Sequence, residues 1–183
     1  MSDIIDIAER AAAVRGQWRH ADIWEILDRL KVPYQTVPLG TARSGLKGYC
    51  TSFFDQFAIG VNSELPDYLQ RLIAWHELGH IILDPDLLRN GRYITEQDPL
   101  NMRTHTELRA NYFAAEAAID DGELLDLLHQ GRRLAEAAAQ LLVPESLVIY
   151  KSEILRAYGE ALPMLDAPDA LFLGGDITGK ENF

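Results

Sequence analysis

The feature that most constrains this chain is His76-Glu77-Leu78-Gly79-His80, because it lies within a stretch of helical apolar spacing from about Pro66 to Leu83. Residues four apart in an α-helix lie one turn apart on nearly the same face. Both imidazoles can therefore reach one metal ion, at roughly 2.0–2.1 Å for zinc. The pattern requires a helix of fixed register at this point of the fold.

Glu77 follows the first histidine, where its carboxylate can face a coordination position filled by solvent. There it can remove a proton from a water molecule whose pKa the metal lowers to about 7. Gly79 costs roughly 1 kcal/mol relative to alanine in a helix interior, which indicates that another element approaches this turn closely. The apolar flanks Leu72–Trp75 and Ile81–Leu83 predict a buried helix, and buried histidines need partners.

Catalytic zinc usually takes three protein ligands, so a third must come from elsewhere in the chain. Asp86, six residues after the second histidine, and His105, in a polar segment, are two candidates. Glu107 is the strongest candidate, because it opens a helix predicted over Thr106–Ala118. Asn111 lies one turn later on the same face, where it can accept a hydrogen bond from the outer nitrogen of a ligating imidazole.

Upstream of the metal-site helix, the sequence predicts two helices and then short strands. The helices occupy residues 3–30 and are divided near Gly16. One strand is predicted at Val32–Val37, and two strands joined by a turn near Asp55 are predicted within residues 49–62. The sheet is therefore expected to be small and mostly antiparallel.

The remaining segments complete an α+β fold. Asn62 or Ser63 is the predicted cap of the metal-site helix. Asp84–His105 is polar and is predicted to be a loop over that helix, and three short helices broken at Gly131 and Pro144 follow downstream. Together these elements predict a small, mostly antiparallel sheet packed on the helix that carries the two histidines.

Composition and charge exclude several classes of protein. No apolar run approaches the roughly 20 residues that span a bilayer, and acidic residues interrupt the apolar N-terminal segment, unlike a secretory signal. The single cysteine, Cys50, rules out an internal disulfide and suits a reducing cytoplasm. A formal net charge of −11 argues against a nucleic-acid binder that depends on a broad basic surface. We therefore expect a cytoplasmic protein that does not bind nucleic acid directly.

The segment Glu107–Ala115 (ELRANYFAA), placed downstream of HELGH, resembles the ImmA/IrrE metallopeptidases. Gly45–Tyr49 and Ile59–Ser63 look like that family's paired strands before the active helix. Leu134–Leu155 is similar to its helix-turn-helix-like segment. The likeness covers roughly residues 20–155, and HELGH with ExxxNxFAA at this separation is far more specific than HELGH alone.

The resemblance implies a zincin-like arrangement with zinc on His76, His80 and Glu107 and with Glu77 as general base. It also implies an intracellular endopeptidase that cleaves a helix-turn-helix repressor of a mobile element or a stress response. The family's usual apolar pair and proline after the FAA stretch are replaced here by Glu116–Asp120. This departure is expected to change how the end of the Glu107 helix packs near the site.

The resemblance and the helix pattern together predict three regions. A metallopeptidase domain is expected at residues 1–120, a helical helix-turn-helix-like appendage at 121–162 and a flexible tail at 163–183.

The working hypothesis is hydrolysis of a peptide bond, with Tyr93 or His105 as candidates for stabilising the oxyanion or contacting the substrate. An extended substrate would add to the sheet along Tyr49–Phe54 or Phe57–Val61. Zinc is the expected metal, although manganese or iron would also suit two histidines and a glutamate.

Two other functions compete with peptide hydrolysis. A metal-containing binding module could sequester a repressor without cleaving it, using the same ligands. Direct DNA binding through Leu134–Leu155 is disfavoured, because that stretch has one lysine against three glutamates.

Overall fold

A computed structural model describes most of the chain, namely residues 2–41, 45–54, 56–89, 94–95 and 105–162. Within these ranges the chain forms eight helices and four strands. Their order is α1 (Ser2–Gln17), α2 (Ile23–Leu30), β1 (Tyr34–Val37), β2 (Gly48–Phe53), β3 (Gln56–Asn62), α3 (Asp67–Leu83), α4 (Pro85–Arg89), β4 (Ile94–Thr95), α5 (His105–Ala118), α6 (Asp121–His129), α7 (Leu134–Leu141) and α8 (Glu145–Ala157). None of the helices in this part of the chain is long and apolar enough to cross a membrane.

The four strands form one mixed sheet in the order β1-β3-β2-β4. β1 runs parallel to β3, whereas β2 is antiparallel to both β3 and β4. The α+β class and the small, mostly antiparallel sheet are therefore confirmed. β3 pairs on both sides along Ile59–Val61, so the expectation that a substrate could join the sheet through Phe57–Val61 is wrong for these three residues.

Three local predictions need correction. Gly16 lies inside α1, and the break between the first two helices follows Gln17. Pro66 occupies the N-cap position of α3 without a side-chain cap, because the side chain of Asn62 is used elsewhere. The segment Asp84–His105 is also not all loop, since α4 and the short β4 lie within it. These features depend on contacts that apolar spacing does not report.

Helix α3 packs against β2 and β3 on one side and against α5 on the other, and α5 also packs on α1 and α8. A Cβ atom added to Gly79 would lie 3.1 Å from the Cβ of Phe113 and 3.2 Å from the Cα of Ala110. The close approach expected at Gly79 is therefore confirmed, and the element that approaches is α5. This crossing brings the start of α5 beside the HELGH turn.

Helices α5 and α8 are joined by polar contacts as well as by apolar packing. Lys151 on α8 is 1% exposed, and its Nζ lies 2.6 Å from Oε2 of Glu116 and also pairs with Asp121. One turn earlier on α5, the hydroxyl of Tyr112 donates to Glu153. The acidic residue that departs from the family pattern thus has a buried cationic partner on α8. The helix-turn-helix-like role of α7 and α8 stays a prediction.

Replacing Lys151 with methionine should destabilise the protein by about 3–5 kcal/mol, because the mostly buried Glu116 would lose its counter-charge. Urea unfolding followed by circular dichroism measures this change. The double variant Lys151→Met/Glu116→Leu removes both charges and should recover most of the loss. Equal instability of the single and double variants would contradict the ion-pair explanation.

Candidate metal centre

The three predicted ligands converge between α3 and α5. His76 and His80 are fully buried on successive turns of α3, and Glu107 lies in the first turn of α5 with a side chain 16% exposed. The two histidine Nε2 atoms are 3.0 Å apart. Glu107 Oε2 lies 3.3 Å from Nε2 of His76, and Oε1 lies 3.5 Å from Nε2 of His80. One ligand atom from each of the three residues therefore lies within 4.8 Å of the other two.

These separations suit a tetrahedral metal ion. With metal–ligand distances of roughly 2.0–2.1 Å, the ligand atoms of a tetrahedral zinc site lie roughly 3.3–3.4 Å apart. The observed 3.0, 3.3 and 3.5 Å bracket that value. Within the described ranges, this is the one group of three histidine, cysteine or acidic side chains able to hold an ion. The donor set of two imidazoles and a carboxylate leaves one coordination position for a reactant.

The electrostatics of Glu107 also favour ligation. Burial alone would raise the pKa of this carboxyl, but hydrogen bonds and the positive charge of His76 and His80 lower the pKa well below its usual range. The carboxylate is therefore anionic beside the two imidazoles, and it would bind a metal ion in this form once both imidazoles are neutral.

Glu77 is 1% exposed and lies on the sheet side of the metal-site helix. Its carboxylate packs against the first residue of β2, since a Cβ atom added to Gly48 would lie 2.9 Å from Oε1 of Glu77. The residue predicted to be the base is thus outside the ligand group but next to it along α3. Sequence spacing alone did not indicate the contact with Gly48.

A buried ion pair between the two ligand-bearing helices was not anticipated. Nη1 of Arg109, on α5, donates to Oδ1 of Asp84 at 2.7 Å, and the two side chains are 19% and 10% exposed. Asp84 directly follows α3, so the pair ties the end of one helix to the start of the other. In the sequence, the only indication of this ion pair was the basic residue Arg109 within the ELRANYFAA segment.

The other predicted site residues do not join the ligand group. Asp86 is 88% exposed and pairs with Arg89 at 3.3 Å, so it is not the third ligand in this arrangement. His105 is 71% exposed and lies 3.2 Å from a carboxylate oxygen of Asp3 on α1. Tyr93 lies outside the described residues. The roles of Tyr93 and His105 toward the substrate or the oxyanion therefore stay predictions.

Asn111 is buried one turn beyond Glu107, as expected, but the expected contact with an imidazole is not formed. Its Oδ1 accepts no hydrogen bond from the described residues. Its side chain instead interacts with the hydroxyl of Tyr150 on α8, where this hydrogen bond partly offsets the rise in the pKa of Tyr150 caused by burial. The side chain therefore faces α8 rather than the histidines.

Residues 27–153 match the model of a known protein family, described as the IrrE N-terminal-like domain (Peptidase_M78). The matched region contains both ligand-bearing helices and the whole sheet. No curated protein matches the chain.

Proposed function

The chain belongs to the ImmA/IrrE family of peptidases, and on that premise we propose that it is a zinc-dependent endopeptidase. A metallopeptidase type of function follows from the family. The observation that carries the finer proposal is the convergence of His76, His80 and Glu107, with Glu77 next to His76 in the chain on the same helix.

Each residue has a defined task in this proposal. His76, His80 and Glu107 hold the ion, which when bound would polarise the scissile carbonyl and acidify a water molecule. Glu77 removes a proton from the attacking water and then donates it to the leaving amine. Its burial between α3 and β2 shields the carboxylate from bulk solvent, and this keeps the proton transfer within the site.

An extended substrate backbone is proposed to lie beside β2. β4 pairs with β2 at Tyr49 and Cys50, and no pairing of the outer edge along Thr51–Phe53 occurs in the described part of the chain. Unpaired backbone groups at a sheet edge can hydrogen-bond an added strand. Of the predicted Tyr49–Phe54 stretch, this leaves Thr51–Phe53, and not Tyr49 or Cys50, as the place for the substrate.

We propose that the substrate is a helix-turn-helix repressor in the cytoplasm. The support is the family resemblance together with the net charge of −11, which does not suit direct DNA binding. The single lysine of Leu134–Leu155, Lys151, is buried between two carboxylates and is not available to phosphate groups. Retention of the protein on DNA with a steep salt dependence would contradict this proposal.

The decisive experiment mixes purified zinc-loaded protein with a helix-turn-helix repressor encoded beside its gene. We expect a discrete fragment on a gel, loss of cleavage after treatment with a chelator, and recovery when zinc is restored. A stable complex without any fragment would instead favour the binding module that sequesters the repressor uncut.

A further inference from the structure

Gly48, the first residue of β2, lies directly against the general base. A Cβ atom added there would lie 2.4 Å from Cγ2 of Ile73, 2.9 Å from Oε1 of Glu77 and 3.3 Å from Cγ of Glu77. The three nearest atoms thus belong to Ile73 and Glu77, and none belongs to a metal ligand. Because real Cβ atoms do not approach other atoms this closely, any side chain at this position would displace the carboxylate, Ile73 or the strand.

Gly48 pairs with Val61 of β3, and the two residues before Gly48 are hydrogen-bonded to Asn62, at the end of β3. Asn62 is fully buried, and its backbone N–H donates to the carbonyl of Lys47 at 2.9 Å. Its side-chain amide makes four further hydrogen bonds with the backbone, accepting from Leu39 N (3.2 Å) and Glu64 N (3.0 Å) and donating to Gly40 O (3.0 Å) and Leu46 O (2.9 Å).

These bonds use the full capacity of an asparagine side chain, which has two donors and two lone pairs. Together with the backbone bond to Lys47, three of them hold residues 39–40 and 46–47 beside the end of β3, just before the chain enters β2. A buried, fully satisfied polar group of this kind specifies a single backbone arrangement. Lys47 directly precedes the residue that touches Glu77.

We propose that Asn62 and Gly48 are positioning residues for Glu77. Asn62 holds residues 46–47 just before β2, and Gly48 presents a backbone surface without a side chain against which the carboxylate packs. The inference depends on the proposed role of Glu77 as the base. Replacing either residue should change the position of the Glu77 carboxylate but not the affinity for the metal, because the ligands lie on α3 and α5.

The test compares Gly48→Ala with Gly16→Ala, a matched control in α1 where an added Cβ meets nothing within 4 Å. Zinc affinity is measured by competition with a chromophoric chelator. Binding of acetohydroxamate to the zinc-loaded protein is measured by calorimetry, because its hydroxyl proton must be accepted by a base beside the metal. Glu77→Gln provides the reference for a lost base.

We expect Gly48→Ala to bind zinc with unchanged affinity and acetohydroxamate at least about tenfold more weakly, as for a displaced hydrogen bond to a charged group. Glu77→Gln should show the same pattern, and Gly16→Ala should match the wild type. With a cleavable substrate, kcat should fall while KM is unchanged. Wild-type binding of both zinc and acetohydroxamate by Gly48→Ala would overturn the inference.

If Gly48→Ala does not fold, Asn62→Asp provides the test. It is isosteric, but it removes the donors to the carbonyls of Gly40 and Leu46 without changing an atom near Glu77. The same loss of acetohydroxamate affinity is expected, and wild-type affinity in the folded, zinc-loaded variant would contradict the inference.

The inference and the proposed function can fail separately. Wild-type protein that binds acetohydroxamate more tightly than Glu77→Gln, yet cleaves no repressor, would refute the proposed substrate and leave the positioning role testable.

Discussion

Glu77→Gln should lower the rate of repressor cleavage by about 10²–10⁴-fold while zinc remains bound. Glutamine preserves the size of the buried side chain but cannot take a proton from water at neutral pH. Metal binding should survive, because the ligand group consists of His76, His80 and Glu107 and does not include this residue. Single-turnover cleavage with zinc-saturated protein, together with metal analysis, measures both expectations.

Glu25→Gln is the matched control for this variant. Glu25 lies on α2 with a side chain 61% exposed and faces Arg29 at 3.8 Å, a surface pair of little energetic weight. Its replacement should leave the cleavage rate unchanged. If chelator-sensitive cleavage persisted at the wild-type rate in Glu77→Gln, the general-base role would have to be abandoned.

Glu107→Ala should weaken zinc binding by more than about 100-fold. Loss of a partner that merely orients a ligand typically costs 10–100-fold in metal affinity, and removal of a ligand itself costs more. Alanine also leaves His76 and His80 as the only two ligands in the described site. The zinc content after dialysis against a weak chelator, and competition titrations, give the size of the loss.

Asp86→Ala is the control that separates the two candidates for the third ligand. Asp86 is highly exposed and paired with Arg89, so its removal should leave the zinc content unchanged. Zinc retained in Glu107→Ala but lost in Asp86→Ala would reverse the assignment of the third ligand.

Much of the fold was predictable because its elements have strong local patterns. Apolar spacing located the metal-site helix and the helix from residue 106, and β-forming residues on either side of Asp55 located the β2–β3 pair. The predicted cap failed for a reason of longer range. Asn62 has the chemistry of a cap, but its side chain bonds to the backbone of Leu39, Gly40 and Leu46, which the helix pattern does not contain.

The site was predictable to the extent that its chemistry follows from one helix. Glu107 was the strongest of three candidates, and the choice could not be made from spacing because Asp86 and His105 are also residue types that bind metals. The partners of Glu116 and Arg109 had no sequence signal beyond an unexpected charge. These partners, Lys151 for Glu116 and Asp84 for Arg109, lie on or directly after other helices that pack against α5.

The sequence by itself determined that His76 and His80 form a pair, because positions one turn apart on a helix share a face whatever surrounds them. Only the tertiary structure decided that Glu107 completes the group, since this required α5 to cross α3 at Gly79. It likewise decided that Gly48 touches Glu77. Contacts between distant segments depend on how whole elements pack, and no local period in a sequence records that packing.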